Sequence, residues 1–144
     1  MLGGVKVPFA RGLSGHSDAD VLVHAVIDAL LGAAALRDIG SHFPDTDPRY
    51  KDIYSIVLLH RVGDMLSYNG FGIGNIDATI VAEQPRLADY IEEMRRNISQ
   101  ALGIELDQVS IKAKTSAGLG FVGRGEGMAA HAVALLERLT NENI

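Results

Sequence analysis

Two periods of apolar positions run through this chain. From Gly4 to Pro8, Val5 and Val7 alternate with Lys6, which predicts a short strand stopped by Pro8. The next period is helical. Ser17 or Asp18 suits an N-cap, and Asp20 lies three residues beyond Ser17 in a capping-box-like arrangement. From there to Leu36 the chain is rich in Ala and Leu, with one Gly and no Pro, so a helix is expected. It is apolar nearly all round, which predicts burial. Residues 53–69 read as an amphipathic helix with Ile56, Leu59, Val62 and Leu66 inward and Gly70 at C′. Gly72 to Glu83 alternates through Ile76, Ala78 and Ile80 as a strand, ended by Pro85. Residues 86–102 form a third helix, burying Leu87, Ile91, Met94, Ile98 and Leu102 and stopped by Gly103. Val109 to Lys114 is a strand with Val109, Ile111 and Ala113 on one side. Met128 to Leu139 fits both periods: its alanines favour helix, whereas Met128, Ala130, Ala132, Ala134 and Leu136 alternate as in a strand. Strands and helices of similar weight predict an α/β (α+β) fold, a single domain over residues 1–144 with a mixed sheet covered by helices on one face.

Composition narrows the function more than the fold. With 144 residues, 47% of them apolar and 22% charged, the chain is long enough for a real core. A net charge of −5 and no Lys/Arg run argue against nucleic acid as a partner. The absence of cysteine removes disulfides, thiolate zinc sites and cysteine nucleophiles together, and fits a reducing compartment. No apolar run reaches membrane-spanning length and Met1-Leu2-Gly3-Gly4 is no signal peptide, so a cytoplasmic location is expected.

Polar residues then stand out against the apolar elements. Asp20, His24 and Asp28 fall at i, i+4 and i+8 along one side of the first helix. A carboxylate–imidazole–carboxylate stripe on a buried helix is costly unless its groups pair or bind something. His24 is either a core histidine bonded to Asp20 or Asp28, or a metal ligand oriented by a helix neighbour; spacing alone does not choose. The loop Asp38 to Pro48 holds three carboxylates and His42, a composition that turns also favour. Thr115 to Gly127 has five glycines in 13 residues, a loop whose amides could approach a phosphate with Arg124 adding a guanidinium fork. It matches neither of the common glycine-rich nucleotide fingerprints, and its glycines also suit close backbone packing. The clusters near His16, Asp38–Asp47, Gln84–Arg86 and Lys114–Arg124 suggest a site for a charged, phosphorylated small molecule.

Taken in order, His16-Ser17-Asp18-Ala19-Asp20-Val21, the His24 helix, Asp38-Ile39-Gly40, Phe43-Pro44-Asp45-Thr46-Asp47-Pro48 and Gly120-Phe121-Val122-Gly123-Arg124-Gly125-Glu126-Gly127 resemble one family. It is the 2-C-methyl-D-erythritol 2,4-cyclodiphosphate synthase family, lyases of the non-mevalonate isoprenoid pathway, and the resemblance runs over nearly the whole chain from Gly3. It implies a homotrimer with active sites between subunits, each holding zinc and magnesium or manganese. The substrate would be 4-diphosphocytidyl-2-C-methyl-D-erythritol 2-phosphate, cyclised with release of CMP. By position, His24 is implied as a zinc ligand, and His16 and Thr115 as transition-state-stabilising residues, with Ser17 beside the first. Asp38, Ile39 and Gly40 match a substrate-contacting segment, Asp38 suiting a ribose hydroxyl. Phe43, Asp45 and Asp47 fall in a mobile loop over the methylerythritol portion. Ala82 to Ala88, with Pro85, Arg86 and Leu87, resembles the cytosine pocket, where Arg86 would reach the diphosphate. Lys114, Thr115 and Ser116 continue the nucleotide site. Phe121 and Arg124 match positions near a trimer axis whose cavity holds an isoprenoid diphosphate in some members. The resemblance also favours a strand for Met128–Leu139.

Two positions depart from the family pattern. The other two zinc ligands, the Asp and His of an Asp-x-His pair, belong to an N-terminal strand upstream of residue 1, so the chain reads as N-terminally truncated with an incomplete zinc site. His42, His60 and His131 are misplaced to substitute and read as surface or structural residues. The magnesium-binding Glu of the Thr-Thr-x-Glu pattern aligns with Ala117, and Glu126 belongs to another motif. These departures favour a rival reading: a non-catalytic trimer binding CDP-type or isoprenoid diphosphate ligands.

Overall fold

The computed structural model describes residues 1–8, 20–83, 86–115, 117–123 and 127–140. Helix α1 (Val21–Ala33) and the single-turn α2 (Ile39–His42) lead through a 3₁₀ turn at Pro48–Tyr50 to helix α3 (Ser55–Tyr68). Strand β1 (Phe71–Val81), a 3₁₀ turn at Ala88–Tyr90 and helix α4 (Ile91–Leu102) follow. A further 3₁₀ turn at Leu106–Gln108 enters strand β2 (Val109–Lys114); then come the one-turn α5 (Gly120–Gly123) and strand β3 (Ala129–Arg138).

Among the described residues the sheet is three-stranded, in the order β2-β1-β3, with β1 parallel to β2 and antiparallel to β3. Ile76, Ala78 and Ile80 of β1 and Val109 and Ile111 of β2 are buried on one face, as the alternation predicts. Met128–Leu139 is resolved in favour of strand. Ala130, Ala132, Ala134 and Leu136 turn toward the core, while Val133 and Leu135 point outward. The helices lie on the core face, α1 mainly on β3, α3 on β1 and α4 on β2. Helix α1 buries Leu22, Val23, Val26, Ile27, Leu30 and Leu31, each worth about 1.5–3 kcal/mol over exposure. Gly70 (φ 83°) follows the C-cap Asn69 of α3, and Gly103 (φ 65°) closes α4, both as left-handed stops.

Several expectations are corrected. Residues 4–8 are not a strand. Gly3 and Gly4 have φ of 57° and 73°, and form a turn closed by Leu2 N–H to Val5 O and the reverse bond, at 2.8 and 2.9 Å. Two left-handed residues in succession cannot continue a ladder. The N-cap of α1 is Asp20, not Ser17 or Asp18, because the Asp20 carboxylate accepts the Val23 amide one turn in. The same helix stops at Ala33 rather than Leu36. Ala35 (φ 57°) takes the left-handed C′ position, with Leu36 N–H bonded to Leu31 O and Ala35 N–H to Gly32 O. That is a Schellman closure built on alanine. The third helix begins its α portion at Ile91 after the 3₁₀ turn, not at 86.

Candidate functional site

Expected site residues gather at two places. The first lies along α1 and the segment after it. His24 projects toward α3, where its Nε2 is 2.7 Å from Oγ of the buried Ser55. Asp28, one turn further, accepts the Ile39 amide at 2.8 Å and so ties α1 to the start of α2. Asp38 caps α2: Oδ1 accepts the Ser41 amide at 3.0 Å and the Ser41 hydroxyl at 2.6 Å. Those bonds, the hydroxyl first, hold the Asp38 carboxyl below the usual carboxylate range. An ionised acceptor beside the exposed backbone of Gly40 suits the hydroxyls of a sugar.

The loop from Phe43 to Asp47 is anchored at both ends. Phe43 is buried and packs edge-on against Tyr50, centroids 5.3 Å apart. Asp47 caps the Pro48–Tyr50 turn through the Arg49 amide and pairs with the Arg49 guanidinium at 2.7 Å, which lowers its pKa. Asp45, between these anchors, is exposed.

The second place is the carboxyl end of the parallel pair, where open α/β sheets bind ligands. Val81 pairs with Lys114, and the Ala82 amide donates to Lys114 O at 2.9 Å. Ala82 and Leu87 are buried, whereas Arg86, Lys114 and Thr115 are exposed at this end. This end thus carries the cations of Arg86 and Lys114 together with the Glu83 carboxylate. The Thr115 hydroxyl accepts the Ala117 amide at 3.3 Å, and the Gly118 amide donates to the Glu83 carboxylate at 3.2 Å. His16, Ser17, Pro85, Ser116 and Arg124 lie outside the described residues, as does the side chain of Phe121.

Sequence reading missed Ser55 and Glu83. Ser55 carried a signal, a hydroxyl residue before an apolar helical run, but its contact with His24 spans 31 residues. Glu83 carried another, a carboxylate just past a strand's carboxyl end. A groove of ≈ 440 Å³ between α3 and α4, lined by Ile56, Val57, His60 and Asn97, holds none of the expected site residues. Helical length and apolarity are insufficient for a membrane span anywhere among the described residues.

Among the described residues, no three His, Cys, Asp or Glu side chains come together as a metal site, and the chain contains no Asp-x-His pair. His24 is therefore one imidazole toward a site that needs three or four ligands. At the strand ends, position 117 offers a methyl group where a carboxylate would be needed. The described donors fit neither ion as a complete site.

The YgbB family model matches residues 1–137. The chain is 59% identical over 136 residues to the 2-C-methyl-D-erythritol 2,4-cyclodiphosphate synthase of Clostridium perfringens, covering 94% of this chain and 87% of that protein. In structure it is similar to the bifunctional IspDF from Campylobacter jejuni (TM-score 0.92, 41% identity), covering 96% of this chain and 38% of that longer one. It is also similar to IspF of Plasmodium falciparum solved with CDP (TM-score 0.81, 30% identity), covering 96% of this chain and 83% of that one. The family is one of metal-using enzymes. By sequence along almost its whole length, and by the course of its backbone, the chain belongs to the YgbB family of 2-C-methyl-D-erythritol 2,4-cyclodiphosphate synthases.

Proposed function

We propose that this chain is a phosphorus–oxygen lyase that converts 4-diphosphocytidyl-2-C-methyl-D-erythritol 2-phosphate to the 2,4-cyclodiphosphate and CMP. The observation that carries the reading is 59% identity to a protein of that name across 94% of the chain. An oxygen of the substrate's 2-phosphate attacks its β-phosphorus. The bond from that phosphorus to the bridging oxygen breaks, and the bridging oxygen leaves with CMP. Such a reaction asks for alignment and charge neutralisation more than for a strong base.

The residues divide that labour. The backbone of Ala82–Ala88, including Pro85 and Leu87, reads the cytosine, and Asp38 accepts from the ribose while Ile39 and Gly40 line the sugar. Lys114 and Arg86 neutralise the diphosphate. Thr115 and Ser116 bind at the strand end, with Thr115 and His16 stabilising the charge that develops at phosphorus and Ser17 beside His16. Phe43, Asp45 and Asp47 carry the loop over the methylerythritol portion. Of the divalent ions that the resemblance implies, zinc would find one nitrogen at His24 and would supply Lewis acidity to the diphosphate, whereas magnesium or manganese would find no side-chain ligand at Ala117. Residues 1–144 act as one domain, in the cytoplasm, as a homotrimer. Exposure of Val133 at 72% and Leu135 at 64% on the outward face of β3 supports burial of that face between copies. Phe121 and Arg124 then lie near the axis, where Arg124 would meet an isoprenoid diphosphate.

Ala117, a methyl group where the family pattern has a carboxylate, favours a second reading, a trimer that binds cytidine or isoprenoid diphosphates without turnover. One experiment separates them: the chain is incubated with substrate, zinc and magnesium, and CMP release is followed with phosphorus NMR of the products. Cyclodiphosphate formed in step with CMP is the expected result. CDP binding without CMP release would leave the second reading.

A further inference from the structure

Parallel pairing holds the ends of β1 and β2 together as far as Val81 and Lys114, with one more bond from Ala82 N–H to Lys114 O. Beyond it the two segments part, one through Glu83 and the other into the turn at Ala117–Gly118. That turn has two consecutive left-handed residues, Ala117 with φ of 56° and Gly118 with φ of 79°. The alanine Cβ crowds the backbone in that region, so the conformation persists only where its surroundings hold it. Two bonds do so. Thr115 Oγ1 accepts the Ala117 amide from within the turn, and Glu83 Oε1 accepts the Gly118 amide from across the strand ends, 35 residues away in sequence. A carboxylate acceptor is the stronger kind.

We infer that Glu83 is a positioning residue, whose carboxylate oxygen latches the Ala117–Gly118 turn to the end of β1. It thereby fixes how Thr115 stands relative to the base-reading backbone of Ala82–Ala88. The inference rests on the nucleotide reading proposed above. It makes the acceptor oxygen, and not the charge, the working part, so glutamine suffices at this position and alanine does not.

The test compares the unmodified chain with Glu83→Ala and Glu83→Gln. CDP affinity is measured by titration calorimetry, and exchange of the Gly118 amide proton by NMR. Glu83→Ala should weaken CDP binding about tenfold and speed Gly118 exchange by a similar factor, the effect of one lost hydrogen bond. Glu83→Gln should stay within about twofold on both. Unchanged exchange and binding in Glu83→Ala would overturn the latch. Equal loss of binding in both variants would overturn it differently, by showing that the charge, as in a cation ligand, is what matters. If the unmodified chain binds no CDP, the nucleotide reading fails and the positioning role falls with it. Faster Gly118 exchange in Glu83→Ala would then still mark a contact with structural effect only.

Discussion

Replacing Asp20 with alanine should cost more stability than any other single truncation of a polar side chain among the described residues. Its side chain is fully buried, and three backbone amides converge on it: Gly3 and Gly4, each at 2.8 Å, and Val23 at 3.0 Å. The Val23 bond is the N-cap of α1, worth about 1 kcal/mol within a range of 0.5–2. The helix dipole adds to it, because a negative charge at an N-terminus is favourable. The two glycine amides belong to a turn 16–17 residues away in sequence, and alanine at position 20 would leave them without this acceptor. An orphaned buried donor costs about 1–3 kcal/mol, less for Gly4, whose bond is only part-buried. The expected loss is about 3–5 kcal/mol, read from urea unfolding at one protein concentration with an unchanged slope. Asp20→Asn is the control, since it keeps the volume and one acceptor oxygen but turns an amide group toward backbone donors. It should recover about half the loss. The first turn of α1 also carries His24, whose amide bonds to Asp20 O at 3.0 Å, so catalytic turnover should fall as that turn frays. A loss below about 1 kcal/mol for Asp20→Ala would refute the reasoning, because it would mean that water or another group serves those amides equally well.

Glycine positions give a matched pair. At Gly3 a Cβ would lie 2.6 Å from Met94 Cγ and 2.7 Å from its Cβ, whereas at Gly70 it would meet nothing within 4 Å. Both have positive φ, so Gly70→Ala should cost about 1 kcal/mol for the backbone alone and Gly3→Ala about 3 kcal/mol once overpacking is added. Equal thermal shifts for the two would show that Met94 yields freely. The Asp38 carboxyl offers a pH test. Its lowered pKa means that the cap it forms is present above the ordinary carboxylate range and is lost as pH falls through the lowered value. Ser41→Ala removes the largest cause of the shift, so the Asp38 titration followed by carbon NMR should move up toward the ordinary 3.8. A titration that stays where it was would mean that the hydroxyl bond is not what holds the carboxylate ionised.

What the sequence could reveal was set by how local each cause is. The interiors of α1, α3 and α4 and the inward alternation of β1 follow from period alone, and Gly70 and Gly103 end their helices for the reason that glycine usually does. Alanine-rich β3 satisfied both periods, because small side chains fit either backbone, and only the resemblance favoured strand. The closure of α1 at Ala35 escaped because its left-handed residue is not glycine. The carboxylates of the Asp20–His24–Asp28 stripe teach the most. Their spacing implied groups that pair or bind something, and each accepts amide hydrogen bonds from a segment distant in sequence. Asp20 holds Gly3 and Gly4, and Asp28 holds Ile39. Charge-assisted bonds to backbone offset the desolvation that makes an acidic seam on an apolar helix look costly. They also fix the entry to α1 and the start of the Ile39–Gly40 segment relative to His24. Acids on such a helix are accordingly constraints on where the expected substrate-binding segments sit, and no reading of α1 alone can reveal that, because their partners lie in other segments.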